Sequence, residues 1–467
     1  MTRADQTQKR KMNAFDGMID KFNQLFKKDL LPATGLYHYR REDEDGKVRL
    51  HLRIDADGSG LLIANANRVV QLNPSAALMA YLHLEGFTPE RAARTIRQQF
   101  KVTPKDALKD FYDFSAQLEA LINPNGGCPV CELNLETIAP FKATPSAPYR
   151  MDLALTYRCN NDCHHCYNAR SRNYPELSVE SWQKIIDQIW DLGIPHIVFT
   201  GGEPTLYHGL PELVAYAENK GLITGLNTNG RKLADQSFLT ELVNAGLDHV
   251  QITFESHDAE IHNHMVAAKN AWAETVAGLK NVLLTPLYVM TNTTLLTHNA
   301  ASLQATLNFL AELGVPTIGL NALIYSGKGE TVDTGLKEAE LPPLLEIARQ
   351  ITESHGQRLI WYTPTQYCHF NPIQLNLGIK GCTAALYNMC VESNGDVIPC
   401  QSYYQSLGNL LEDSWQDIWE HPLAIQLRNR LDIPEGCRSC DFLPECGGGC
   451  PLARQHQTIQ PIKYPVF

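Results

Sequence analysis

The stretch Tyr157–Asn168 reads YRCNNDCHHCYN and sets Cys159, Cys163 and Cys166 in a CxxxCxxC spacing, with Tyr167 directly behind the last thiol. Three thiolates on so short a loop can converge on one metal centre. Spacing alone does not name the metal, because zinc knuckles and redox pairs use similar intervals. An iron–sulfur cubane normally takes four cysteines, so a cubane on this loop keeps one iron open to a further ligand.

Two neighbouring features narrow the choice. The apolar run Met151 to Leu155 before the loop reads as a strand, and GGEP (Gly201–Pro204) follows another apolar run, HIVFT. With these the loop resembles that of the radical S-adenosylmethionine (radical SAM) family. The resemblance implies a cluster on Cys159, Cys163 and Cys166 whose open iron chelates S-adenosylmethionine and injects the electron that cleaves it.

The chain has 467 residues, enough for more than one domain with its own core. Its 40 basic and 51 acidic residues give a net charge of −11 with no polybasic run, which argues against a nucleic-acid surface as the main function. The charged start MTRADQTQKRK is not followed by a signal-peptide core, and no run approaches the roughly 20 apolar residues of a membrane span. A cytoplasmic protein without membrane partners is expected, and 13 cysteines in such a compartment point to metal ligands more than to disulfides.

Helical spacing of Phe15, Met18, Ile19, Phe22 and Phe26 predicts an amphipathic helix within residues 1–30. From Gly35 the pattern alternates through RLHLRI, a DADGSG turn, GLLIANA and RVVQL, then turns helical, with Asn73-Pro74 and Thr88-Pro89 as caps and a third helix over Asp106–Ile122. Residues 31–125 thus resemble the winged-helix-like peptide chaperone of pyrroloquinoline quinone biosynthesis, the RiPP recognition element. The resemblance implies that a leader peptide adds as an extra strand and contacts the last helix. A DNA-binding winged helix is the competing reading, but Asp110, Asp113 and Glu119 leave the third helix without a basic face. Residues 126–150 form a Pro- and Gly-rich linker holding Cys128 and Cys131, a redox pair, a zinc half-site or donors to a distant cluster.

Residues 151–355 alternate short apolar strands with amphipathic helices, which calls for a parallel sheet with crossover helices. The expected fold class is α/β, a partial (β/α)6 barrel with an N-terminal winged-helix-like α+β domain and a C-terminal cysteine-rich domain. Sites in parallel barrels form at the carboxyl ends of the strands. By resemblance Gly201, Gly202 and Glu203 hold the aminoacyl end of S-adenosylmethionine, Asn229 sits in the family's TNG turn, and Thr253 and Glu255 face the ribose, with Glu255 departing from the usual aspartate. Tyr167 stacks on adenine or covers the cluster. His262 and His264 read as surface or cap residues, since positions two apart do not share a helix face.

Residues 356–467 carry CxxCxxxxxCxxxC at Cys437, Cys440, Cys446 and Cys450, preceded by Cys382, twelve residues, Gly395, four residues and Cys400. This resembles the SPASM extension with its two auxiliary iron–sulfur clusters, against zinc ribbons as the plain alternative. Carried over by position, Cys382, Cys400 and Cys450 bind the first cluster with Cys368 as fourth ligand, and Cys437, Cys440 and Cys446 bind the second. The family's last cysteine is absent, which leaves an open iron or a remote ligand there. Cys390 is left over as a spare ligand, a buried hydrophobe or a catalytic hydrogen-atom donor. The resemblances together imply a peptide maturase that forms a thioether or carbon–carbon crosslink and draws electrons from an external reductant such as flavodoxin or ferredoxin. The alternatives are maturation of an enzyme subunit, as in quinohemoprotein amine dehydrogenase, an epimerase, a splicease, or a zinc-binding scaffold.

Overall fold

Strict alternation from Gly35 to Leu72 builds an antiparallel meander of β1 (Gly35–Asp43), β2 (Gly46–Ile54), β3 (Gly60–Ala64) and β4 (Arg68–Leu72). The computed structural model describes residues 31–43, 46–64, 68–122 and 145–458, so the helix expected within residues 1–30 and the Cys128/Cys131 pair lie outside the described residues. Three helices follow: α1 (Pro74–Leu84), α2 (Pro89–Gln99) and α3 (Pro104–Ile122). The caps are those the sequence announces, with Asn73 accepting from the Ala76 amide and Thr88 from that of Arg91.

Because side chains alternate across a strand, β2 has two faces. Leu50, Leu52 and Ile54 pack on Leu62, Leu72, Ala77 and Phe114 as the core of this unit. The opposite face is polar but equally buried: Arg49, His51 and Arg53 are 3 %, 0 % and 3 % exposed. They satisfy backbone carbonyls of the larger domain. Arg49 donates to Leu222 O and pairs with Glu218, His51 Nε2 lies 2.7 Å from Gly221 O, and Arg53 donates to Ala147 O at 2.9 Å. A solvent-facing stripe in the sequence is therefore an interface.

That interface has a pH dependence. Burial lowers the pKa of His51 to about 3, so on acidification the unfolded chain takes up the proton first. Stability is lost as pH falls below the ordinary histidine value. Between about pH 7.5 and about pH 5, His51 alone removes about 2 kcal/mol. Thermal melts at both values are expected to show a smaller acid loss in His51→Gln than in wild type, and equal losses refute the assignment.

The second unit begins with β5 (Arg150–Thr156) and continues through α4 (Val179–Asp191), β6 (His196–Gly201), α5 (Leu210–Lys220), β7 (Ile223–Thr228), α6 (Gln236–Ala245) and β8 (His249–Thr253). Then come α7 (Ala259–Met265), α8 (Ala271–Val282), β9 (Tyr288–Thr294), α9 (Leu303–Glu312), β10 (Thr317–Asn321), α10 (Leu341–Ser354) and β11 (Arg358–Trp361). Strands β5 to β11 pair in parallel in sequence order. The sheet thus runs one strand beyond His355, because RLIW pairs with β10 even though it is only four residues long and begins with the exposed Arg358. Helices bury one stripe against the sheet, as in α4, where Trp182, Ile185, Ile186 and Ile189 enter the core.

The cysteine-rich tail is not a separate body. Strand β12 (Asn388–Val391) pairs in parallel with β5, Cys390 opposite Asp152, and β13 (Asp396–Ile398) and β14 (Gly408–Asn409) extend the same sheet. Gly395 turns the β12–β13 hairpin at φ +94°, a conformation that disfavours side chains with a Cβ. The tail is thereby fixed beside the loop that follows β5.

Candidate active site

The loop after β5 is clamped on all sides. Arg172 donates to the Cys159 and Asn161 carbonyls and pairs with Asp162 at 2.8 Å. Arg231 reaches Asn161 Oδ1 at 2.8 Å and is anchored by Glu274 at 2.6 Å. Lys328 meets Asp162 at 2.7 Å. None of these cations lies in a motif, and only the fold gathers them.

The thiols suit metal ligation better than free nucleophilic chemistry. Burial pushes Cys159 up to about 11 and Cys163 well above its ordinary value, and the neighbouring cysteines raise both further. Bare thiols here stay protonated, and a thiolate requires positive charge in their midst. The Asn161 amide already points at Cys159 Sγ from 3.4 Å, as amides do toward ligating sulfur. The donor set fits an iron–sulfur cluster.

The GGEP segment is pressed against that loop. A Cβ on Gly201 would sit 2.2 Å from Thr156 O, and one on Gly202 2.4 Å from Arg158 O, so only glycine fits. The Gly202 and Glu203 amides donate to those same carbonyls at 2.7 and 2.8 Å. Gly201 and Gly202 line the cavity, whereas Glu203 lies 1 % exposed beneath its wall. Its carboxylate accepts from Thr205 Oγ1 and Thr228 Oγ1 at 2.7 Å each and from the Asn229 amide at 2.8 Å. The Glu203 carboxylate thereby braces two loops. Asn229 stays on the cavity wall, its side chain tied to Asn160 at 2.7 Å.

Thr253 and Glu255 both reach the cavity from β8. Glu255 is committed elsewhere than to a ribose: it accepts from His165 Nε2 at 3.0 Å and from the Thr294 amide at 2.9 Å. His165 lies inside the cysteine loop, and its Nδ1 is buried without a protein partner. His262 corrects the surface reading, being 1 % exposed with Nδ1 accepting from the Glu255 amide at 3.3 Å. His264 is exposed, with its ring 5.2 Å from His164 and 5.1 Å from His298.

All of this opens on one cavity of about 1740 Å³, which extends from Val48 and Arg49 of the N-terminal unit through the barrel to Cys159, Cys163 and Cys166. Cys382, Cys400 and Cys450 line it as well. Burial pushes all three thiols up, Cys382 to about 12, and the nearby Cys450 raises Cys382 and Cys400 further. Cys368 departs from the expected grouping. It interacts with Cys437 and Cys446, and the amide of neighbouring Tyr367 donates to Cys446 Sγ at 3.4 Å. Cys437 in turn interacts with Cys440 and Cys446. Cys382 and Cys400 thus lie with Cys450 on the cavity wall, whereas Cys368 lies beside Cys437 and Cys446, because the segment after β11 runs past Cys446 on its way to the tail.

Cys390 is 1 % exposed among Ala154, Tyr157 and Ile398, with Sγ 3.7 Å from Val391 O, and does not line the cavity. Of the three readings of this thiol, its surroundings support the small buried hydrophobe. Tyr167 lines the cavity and donates to Gln401 at 3.3 Å.

Residues 153–310 match the model of the radical SAM superfamily. The chain therefore carries a radical SAM domain. Residues 382–441 match the SPASM iron–sulfur cluster-binding domain, so the two matched domains bring S-adenosylmethionine with the cluster that binds it and auxiliary iron–sulfur clusters. The zinc readings of the cysteine loop and of the tail give way. SuiB of Streptococcus suis bound to precursor peptide SuiA aligns at TM-score 0.64 and 18 % identity, covering 89 % of this chain and 96 % of that one. SuiB bound to S-adenosylmethionine aligns at 0.65 with the same identity and coverage. The enzyme anSMEcpe with bound AdoMet aligns at 0.53 and 18 % identity over 66 % of this chain and 90 % of that one. At these identities the likeness is one of fold. Among the described residues no helix is long and apolar enough to cross a membrane.

Proposed function

We propose that the chain is a peptide maturase: it holds a ribosomally made peptide through its N-terminal unit and installs a crosslink, thioether or carbon–carbon, or a related modification. The observation that carries this reading is the continuous cavity, walled at one end by Val48 and Arg49 and at the other by the cysteine loop. A pocket for a small metabolite has no need to reach a second folded unit.

In this reading Cys159, Cys163 and Cys166 hold the cluster that binds S-adenosylmethionine, and the bound pair supplies a 5'-deoxyadenosyl radical able to take hydrogen from an unactivated carbon. Gly201, Gly202, Asn229 and Thr253 shape the wall for the cofactor, and Glu255 orients His165. Cys382, Cys400 and Cys450 hold the inner auxiliary cluster, and Cys368, Cys437, Cys440 and Cys446 the outer one. Polar groups lower in the barrel are paired among themselves, Arg150 with Asp152 at 2.9 Å and His196 with His249 at 2.8 Å. They present no free charge to a peptide backbone. A flavodoxin- or ferredoxin-type protein delivers the starting electron, and the N-terminal meander takes the leader as an added strand.

The test is coexpression with the peptides encoded beside the gene, read by mass spectrometry. Loss of two hydrogens is the expected result. Deuterium uptake with no other mass change indicates epimerisation instead, and unmodified peptides alongside active cofactor cleavage overturn the peptide assignment.

A further inference from the structure

Two hydrogen bonds join the residues behind Cys166 to those behind Cys400. Tyr167, which follows Cys166 directly, donates its hydroxyl to Gln401 Oε1 at 3.3 Å, and Gln401 follows Cys400 directly. Tyr404 donates to Asn168 Oδ1 at 3.4 Å. The shorter route from one thiol to the other therefore runs through two adjacent residues and a single hydrogen bond.

We propose that the Tyr167–Gln401 contact is an electron bridge between the S-adenosylmethionine site and the inner auxiliary site; this rests on the ligand assignment above. Electrons tunnel further through bonds and hydrogen bonds than across gaps. Both residues line the cavity, so the bridge passes beside the place where substrate is held. Tyr404 packs at the same junction, 6.4 Å ring to ring from buried Tyr157, and with Arg170 over its face at 5.2 Å, which fixes the geometry.

The bridge closes an electron balance. Cleavage of one S-adenosylmethionine takes one electron and gives methionine and the 5'-deoxyadenosyl radical, which becomes 5'-deoxyadenosine by taking a hydrogen atom from substrate. When the substrate radical forms its new bond it loses one proton to solvent and one electron. That electron enters the inner auxiliary cluster and returns along Tyr167–Gln401, so net consumption of external reductant is zero once turnover has begun.

The test needs no peptide substrate. Fully loaded protein is photoreduced, freed of reductant, mixed with excess S-adenosylmethionine and freeze-quenched, and both 5'-deoxyadenosine and the reduced auxiliary EPR signal are followed. Without peptide, the adenosyl radical takes its hydrogen from the nearest C–H. Wild type is expected to empty the auxiliary signal while producing more than one equivalent of 5'-deoxyadenosine. Gln401→Met, which keeps the volume but loses the acceptor, is expected to stop near about one equivalent with the auxiliary signal retained, since one cluster stores one electron. Gln401→Glu, which restores an acceptor oxygen, is expected to recover the second phase. Tyr167→Phe keeps the ring and removes only the hydroxyl, and serves the same comparison where Gln401→Met loses iron. Loss of the auxiliary signal at the wild-type rate in both Gln401→Met and Tyr167→Phe reduces the contact to docking and overturns the bridge. No 5'-deoxyadenosine from wild type instead overturns the cofactor assignment on which it stands.

Discussion

Cys163→Ala protein is expected to release no 5'-deoxyadenosine under strong reductant while keeping its auxiliary iron. Removing one of three ligands on a loop that offers no substitute leaves a cubane with two corners held, and such a cluster does not survive reconstitution. Of the other side chains that could bind iron on this loop, Asp162 is already paired with Arg172 and Lys328, His165 is bonded to Glu255, and the His164 ring packs against that of His264. None takes the place of a thiolate. Iron analysis should fall by about four atoms per chain, the content of one cubane, with the auxiliary EPR signals intact. The loop itself should stay folded, because its clamps bind carbonyls and Asp162 and not the sulfur of Cys163. Any 5'-deoxyadenosine above a cofactor-free blank, from protein lacking that iron, removes Cys159, Cys163 and Cys166 from the catalytic role.

What the sequence made legible was local chemistry. The cysteine spacings, the GGEP turn, the helix caps at Asn73 and Thr88 and the alternation of strand and helix each follow from contacts within a few residues, and each stands where the pattern puts it. Long-range partners were not legible. Arg231 lies in an unremarkable turn and Glu392 in a hairpin, yet one clamps the cysteine loop and the other, fully buried, receives Tyr157 at 3.0 Å and Arg170 at 2.6 Å. Arg49, His51 and Arg53 look solvated in sequence because alternation reports two faces and not what covers the second one. Cys368 illustrates the same limit. Its place in the chain groups it with Cys382, Cys400 and Cys450, and only the path of the segment after β11 brings it beside Cys437 and Cys446.

The same distinction makes Glu203 the most consequential residue outside the cysteines. By motif it is a cofactor contact; in the fold it is an acceptor surrounded by donors. Oε1 takes the Thr205 amide at 3.1 Å and the hydroxyls of Thr205 and Thr228 at 2.7 Å each, and Oε2 takes the Asn229 amide at 2.8 Å. Burial pushes its pKa up, and these hydrogen bonds pull it back toward the ionised form. Glu203→Ala is expected to orphan buried donors on both loops, at roughly 1–3 kcal/mol for each one left unpaired. Glu203→Gln is nearly isosteric yet should fare little better. An amide nitrogen brings two hydrogens into a site whose backbone partners already donate, so one loop loses its tie whichever way the amide turns. Because this carboxylate holds Gly201–Gly202 and Asn229 in register, both walls of the cofactor site shift together. The Gln variant should lose about 3 kcal/mol or more of stability in thermal or denaturant unfolding. Its S-adenosylmethionine affinity, measured by equilibrium dialysis on loaded protein, should fall by at least about tenfold, equivalent to 1.4 kcal/mol. Thr205→Val, which removes one hydroxyl donor and leaves the two amide bonds, should cost only about 1 kcal/mol. A Gln variant that melts with wild type and binds the cofactor equally well would show that the two loops hold their register without Glu203.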